Sequence, residues 1–288
     1  MGTTVLLQVI VSGILIGGIY ALVSIGLTLI WGILDVINFA HGSYVMLGMY
    51  LAYFAWSLFG LDPLEAIPIG AVVLGMAGYL TYKVVIRPVM GKSSLAQIVV
   101  TFGMLVLIQG GAQMLWTPNS RSISNPIAAG LNVDLGGVVL GGPQLMGFVG
   151  AILFTGLLAI FINFTKTGNA LRATGEDRVG AALMGINVEK MNTLAWVLGL
   201  ACTGIAGALL MGAYTVSPTA GVIFGLIAFI AVALGGFGSV IGAGIAGLLL
   251  GIVQNTVGLY APEYSLAALA GIFLLVAIIR PTGIMGTR

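Results

Sequence analysis

Long uncharged runs set the pattern of this chain. Asp, Glu, Lys and Arg are absent from 5–34, 36–61, 66–82, 93–120, 135–165, 191–262 and 264–279. A helix needs roughly 20 apolar residues to cross a hydrocarbon core of about 30 Å. Most of these runs hold one crossing, and 191–262 has room for more than two. Breaks at polar, Gly and Pro clusters predict segments near 5–31, 42–60, 66–87, 95–116, 143–164, 191–214, 221–235, 238–259 and 265–279. In hydrocarbon every backbone N–H and C=O must be paired within the chain, and the runs are too long for barrel strands. The expected fold is therefore all-α: a polytopic integral membrane protein of about eight to ten transmembrane helices, with 1–288 forming one transmembrane domain. The division is least firm at "LGGFGSVIGAG" (234–244), which reads as two short helices or one broken one.

Composition agrees. Of 288 residues 59% are hydrophobic and 6% charged, against about 25% charged in soluble domains. A net charge of +2, with no basic run longer than two residues, gives no footprint for nucleic acid. The single cysteine, Cys202, excludes an internal disulfide. The opening "MGTTVLLQVIVSG" lacks the basic n-region of a cleavable signal, so the first span is expected to be retained.

Orientation follows from Lys and Arg in the short loops. Lys83, Arg87 and Lys92 flank one loop, Lys166, Arg172, Arg178 and Lys190 fill another, and Arg280 and Arg288 mark the C-terminus. Loops carrying Asp62 and Glu65, then Arg121 and Asp134, then Glu263 alternate with them. This parity places the C-terminus in the cytoplasm. Nine spans put the N-terminus outside; eight or ten put it inside. The loop at 117–142 is then the main external one, and 165–190 lies inside.

Forty-five glycines cluster in the spans, and Gly13/Gly17, Gly238/Gly242 and Gly247/Gly251 each sit four apart, a spacing that lets membrane helices approach closely. Several motifs fail. "GAGIAG" (242–247) matches a dinucleotide fingerprint but lies within an apolar span rather than between strand and helix. "GKS" (91–93) has Ile86 where a P-loop needs glycine. "NFT" (163–165) abuts a basic loop, out of reach of glycosylation. One histidine and one cysteine build no typical metal site, and Ser43 beside His41 lacks a nucleophile-elbow context.

The most informative segment is "TGNALRATGEDRVGAALMGINVEK" (167–190). "TGED" sets Thr174 at an N-cap and Asp177 at N3, a capping-box spacing, with Glu176 and Asp177 at the positive end of the helix dipole. Val179, Ala182, Leu183 and Ile186 then form one apolar stripe, and Gly185 suits a C′ stop. Such a helix, over 174–186, lies on lipid, stands in solvent, or docks into a protein. A lipid-binding face is rich in Lys/Arg; here Glu176 and Asp177 offset Arg172 and Arg178, which favours docking over adsorption.

Resemblance sharpens this reading. R-A-x-x-x-D, then Ala, then G-I-N is similar to the coupling loop of permease subunits in ABC importers. "INFAHGSYVMLGMY" (37–50) and "GGFGSVIGAGIAG" (235–247) resemble the branched-chain amino acid permease family of the LivH type, so that the likeness runs along nearly the whole chain. Ser43 is a departure, since many relatives carry an acidic residue there. The resemblance implies a permease for branched-chain or other apolar amino acids. It also implies a second homologous permease, two cytoplasmic ATPases that bind the ATP–Mg, and an external solute-binding protein. Coupling would then rest on Arg172, Thr174, Glu176, Asp177, Arg178, Val179 and Leu183. Urea and short-chain amide permeases, which share the Ala-His-Gly segment, are the alternative.

Two polar features remain. Between the first two spans, "DVINFAHGS" (35–43) carries the only histidine. Parity sets it toward the cytoplasm, where Asp35 costs less than at mid-bilayer and Asn38 or Ser43 caps a helix beginning around 39–44. Asn38, His41 and Ser43 are candidates to line the translocation path, with helix capping and interhelical bonding as the other use. Within spans, Tyr20, Ser24 and Thr28 follow one side of the first, while Gln97/Thr101 and Gln109/Gln113 are i, i+4 pairs on the fourth. A buried amide needs a partner, so these face protein or a watery path. No charge sits at mid-membrane, which speaks against an ion-coupled carrier, the rival class, since such carriers use an ionisable relay.

Overall fold

The structure is a computed structural model and describes residues 3–285 apart from 125, 135 and 281. Arg288, one of the orienting residues, lies outside them. Each of the nine predicted segments is a helix: α1 Thr3–Leu34, α2 His41–Phe59, α3 Ile67–Thr81, α4 Ser94–Trp116, α5 Gly142–Phe164, α8 Val188–Met211, α9 Ala220–Gly235, α10 Val240–Tyr260 and α11 Ser265–Ile279, with the shorter α6 Lys166–Glu176 and α7 Arg178–Leu183 between α5 and α8. A π turn, Tyr82–Ile86, and a 3-10 turn, Arg87–Val89, extend α3. The 234–244 stretch resolves into two helices, α9 ending at Gly235 and α10 starting at Val240, with Ser239 capping α10 through the Gly242 N–H (3.1 Å).

Among the described residues seven helices are long and apolar enough to cross a membrane by length and composition: α1, α3 with its extension, α4, α5, α8, α10, and α11 with the turn before it. The expected eight to ten are reached through α2, whose 19 residues carry the polar start His41–Ser43 and three tyrosines, and α9, whose 16 residues rise about 24 Å.

α1 is the central post. It packs against α10, α8, α5, α9 and the amphipathic α6. Lipid gives no hydrophobic drive for helix association, so close backbone approach and hydrogen bonds do the holding. Gly13 and Gly17 face Gly251 and Gly247: a Cβ on Gly17 would lie 2.8 Å from Leu248 Cα, and one on Gly247 2.5 Å from Ala21 N. Gly238 and Gly242 do not form such a stripe. Gly238 turns the chain between α9 and α10 at φ +82° while Gly242 packs against Gly235, because the helix break falls between them. A second pair, α3 with α8, meets through Gly70 and Gly204, and α2 wedges between α8 and α9. α4 and α11 stand at the periphery, mostly uncovered.

At the end away from the basic loops, the 117–142 segment is tied down. Arg121 exchanges both backbone hydrogen bonds with Val216 (2.8 Å each) and lays its guanidinium over Tyr53 and Phe54 at 5.3 and 5.4 Å. The Asp62 carboxylate accepts from Ile127 N at 2.7 Å, and Val133–Asp134 pairs antiparallel with Val139–Leu140.

Gly251→Leu drives a side chain into the α1 backbone and is expected to cost roughly 3 kcal/mol, at the upper end for overpacking. Gly103→Ala, on open α4 surface with nothing within 4 Å of the added Cβ, is expected to leave stability unchanged or raise it. Thermal unfolding of the two variants in detergent, followed by size-exclusion fluorescence, distinguishes them.

Candidate functional site

The segment joining α5 to α8 is two helices, not the one expected over 174–186. Thr165 caps α6, its hydroxyl oxygen accepting from Gly168 N at 2.9 Å. Asp177 leaves helical conformation (φ −149°, ψ 103°) and caps α7, accepting from Val179 N at 2.9 Å. Thr174 is therefore not an N-cap. It is buried inside α6, its hydroxyl donating to Ala170 O at 2.8 Å. The Thr-x-x-Asp spacing fits a capping box, but Asp177 serves as the cap of the next helix, and a threonine within a helix satisfies itself on the carbonyl four residues back. Gly185, at φ +82°, does end the segment.

One side of α6–α7 is locked to α1. Leu171, Thr174 and Ala181 face inward and are buried. Gly175 rests on the last turn of α1, where an added Cβ would come 2.5 Å from Gly32 O. Arg178 donates through Nη2 to Ile33 O at 3.0 Å. The opposite side is open. Val179 is 71% exposed and Leu183 83%, joined by Met184 at 83%, which the stripe reading missed; Ala182 is exposed too, while Ile186 is half covered. Arg172, Glu176, Asp177 and Arg178 are exposed around this apolar tip, with Arg172 held by Asn163 and Asn169 (3.2 and 3.3 Å). The result is a large hydrophobic knob in a charged collar, rigidly mounted on the central helix.

A second anchor was not evident in the sequence. Glu189, in the first turn of α8, accepts from Lys83 Nζ at 2.9 Å and Tyr82 Oη at 3.3 Å and forms an ion pair with Arg87, Nε at 3.0 Å. Lys83 and Tyr82 sit on the π turn after α3, a bulge of the kind that frequently marks functional sites, and Arg87 opens the 3-10 turn that follows. Only the opposite signs of Glu189 and the Lys83/Arg87 pair hinted at it, and a contact across more than a hundred residues is not written in spacing.

The 35–41 stretch is a buried joint. Asp35 ends α1 in the left-handed region (φ +57°), its N–H on Trp31 O at 2.8 Å. Asn38 Oδ1 accepts from Ala40 N at 3.1 Å, so Asn38 closes a tight turn, and Ala40 rather than Asn38 or Ser43 is the N-cap of α2. His41 is 1% exposed and donates from Nε2 to Val23 O at 3.0 Å, a carbonyl in the middle of α1. Thr101 is buried and donates to Ile37 O at 2.9 Å, bringing α4 to the same joint. Ser43 is buried alongside. Of the remaining candidates, Gln97 is half-buried and bonds Lys92 O at 3.4 Å, Gln109 is half-buried and Gln113 exposed. The structure thus gathers Asn38, His41, Ser43 and Thr101, and leaves the three glutamines along α4.

A many-spanning helical bundle with a rigid amphipathic knob at its basic end has the form of a membrane transport subunit. Comparison with known proteins makes this definite: the family described as "Branched-chain amino acid transport system / permease component" matches residues 9–278, and the chain belongs to it. It is 32% identical over 97% of its length to the high-affinity branched-chain amino acid transport system permease protein BraD of Pseudomonas aeruginosa, covering 95% of that protein. It is 33% identical to the permease protein LivH of the corresponding Escherichia coli K12 system, with the same shares covered. A probable LivH of Methanocaldococcus jannaschii is 30% identical over 88% of this chain and 81% of that one. Among solved structures, PsaBC from Streptococcus pneumoniae in complex with Fab shares the fold, with a TM-score of 0.50, 16% identity, and coverage of 96% and 91%.

Glu189→Lys places three cations together and is expected to reduce uptake in whole cells several-fold at unchanged membrane abundance. Adding Lys83→Glu to it restores an ion pair and is expected to recover part of the loss. A double-swap variant no better than the single one means that the cluster does not act as a pair.

Proposed function

We propose that this chain is the membrane-spanning half of an ATP-driven importer for branched-chain or similar apolar amino acids, working beside a second homologous permease. Two ATPase subunits would supply the energy and bind the ATP–Mg, and an external binding protein would deliver the solute. The observation that carries this is the exposed tip Val179, Leu183 and Met184. Three large apolar side chains held in the open on a locked helix fit an apolar cleft in a partner protein. The collar of two arginines and two carboxylates sets the register of that contact.

The basic residues of 83–92, 166–190 and 280 lie in the connecting segments and helix ends between the long spans, and their excess of Lys/Arg supports reading that side as cytoplasmic. The tip then faces soluble ATPases, and the C-terminus is inside a prokaryotic plasma membrane. Force on the tip has two outlets. Arg178 and Gly175 pass it to the end of α1, and Glu189 passes it to α3. The names of the relatives support an apolar amino acid over urea or a short amide. The joint of Asn38, His41, Ser43 and Thr101 bears on the path by fixing how α2 and α4 lean on α1.

Leu183→Glu or Asp177→Lys is expected to leave insertion and abundance intact while weakening ATPase docking by about 2 kcal/mol, roughly 30-fold in affinity. Uptake and solute-stimulated ATP hydrolysis would be lost together. Co-purification of the ATPase with each variant, beside transport in reconstituted vesicles, is the check; normal import with normal stimulation refutes the docking role.

A further inference from the structure

A cavity of about 880 Å³ opens at the basic end, between the last turns of α1, the α6–α7 segment and the α9–α10 turn. This is within the range of small-molecule pockets, about 300–1,000 Å³. Its lining is graded. At the inner end stands Thr28, 1% exposed, whose hydroxyl has no partner among the described residues. Midway are the rings of Trp31 and Phe237, stacked with centroids 4.5 Å apart. The charged residues of the lining are Asp35, Arg172, Glu176, Asp177 and Arg178, all exposed. Thr28 and Asp35 are seven residues apart on or at the end of α1, about 10 Å along its axis.

Of these, Asp35 and Arg178 are neighbours that do not close on each other. Arg178 reaches Ile33 O at 3.0 Å, two residues before Asp35, yet the pair forms no ion pair. The Asp35 carboxylate makes no side-chain hydrogen bond among the described residues, and its backbone is held in the left-handed region that non-glycine residues seldom occupy. Strain of this kind persists where the surroundings fix it and gathers at ligand clamps. An acid and a base that line one cavity without pairing, together with an aromatic stack and a spare hydroxyl, offer an ammonium, a carboxylate and an apolar side chain a place each.

We propose that this cavity binds the zwitterion of an apolar amino acid from the basic, cytoplasmic side. Asp35 takes the ammonium, Arg178 takes the carboxylate through its remaining N–H groups, and the side chain lies against Trp31 and Phe237. Because Asp35 ends α1 and Arg178 opens α7, an occupant adds a further bridge beside the Arg178–Ile33 and Gly175–Gly32 contacts and stiffens that joint. Given the coupling role proposed above, on which this consequence rests, amino acid accumulating inside slows further import.

The test uses the assembled permease–ATPase complex in nanodiscs, without binding protein, and radiolabelled leucine as the probe. Wild-type complex is expected to bind leucine. Asp35→Asn keeps the left-handed turn, which asparagine tolerates, and is expected to weaken binding by about tenfold or more. Isovalerate and isoamylamine, each lacking one charge, are expected to bind more weakly than leucine. In proteoliposomes supplied with binding protein, the ratio of uptake rates with and without internal leucine is expected to fall below one for wild type and to return toward one for Asp35→Asn. No leucine binding by the wild-type complex, or equal binding by Asp35→Asn, overturns the site. Binding without any effect of internal leucine overturns the regulatory step alone. Normal transport by Leu183→Glu would remove the coupling reading and leave the binding result standing, so the two failures are separable.

Discussion

Backbone-to-backbone contact along α1 is the constraint from which the rest of this molecule follows. A membrane helix gains little by burying leucine against leucine, because lipid is as apolar as a neighbouring helix. Contact must come from shape, and glycine provides it. With Gly13 and Gly17 against Gly247 and Gly251, α10 lies so close to α1 that main-chain atoms touch. The same device recurs at the last turn, where Gly32 receives Gly175. The central post is thus fixed to the bundle along its length and to the amphipathic segment at its end. A push on α6 and α7 has no slack to take up before it reaches α1.

The interior polar groups complete this arrangement. His41 spends its Nε2 proton on a carbonyl of α1, Thr101 its hydroxyl on the backbone of the 35–41 joint, and Trp196 its indole N–H on Thr81 at 3.3 Å. Each bond joins separate elements, and each would be costly to break in a medium that offers no water in exchange. They define which helices move as one. Trp196–Thr81 and Glu189–Lys83 fix α8 to α3 at two levels, so those helices form a unit next to the α1–α10 post. The amphipathic segment touches both units, the post through Arg178 and the other by packing directly on α8.

The sequence made the helices legible because hydrophobic runs are constrained by bilayer thickness, and all nine segments became helices with ends within a few residues of those expected. The amphipathic segment was legible as well, from its apolar spacing and Gly185. Its internal break was not. Thr174 and Asp177 are both cap-forming residues, and which one caps depends on where the preceding helix starts. That start is fixed by Thr165 and by the seat of Gly175 on Gly32, a tertiary fact. The same reason hid Glu189 and the cavity: both are made by residues brought together from three or more elements, with no periodicity to reveal them. His41 shows the converse case. A lone histidine in an apolar chain draws attention as a candidate for chemistry, yet its observed bond is a structural one to Val23 O.

Mounting the apolar tip rigidly has an energetic reason. A flexible loop carrying Val179, Leu183 and Met184 would lose conformational freedom on docking, at about 1–2 kcal/mol for each backbone residue fixed, and would spend part of any pull on stretching itself. Here that ordering is already complete before a partner arrives, through Thr165, Asp177 and Gly185 within the segment and through Gly32, Ile33 and Lys83 outside it. What remains for the partner is to cover the tip. The free energy of covering it is then available for displacing α1 relative to α3 and α8, which is the motion an alternating-access path requires.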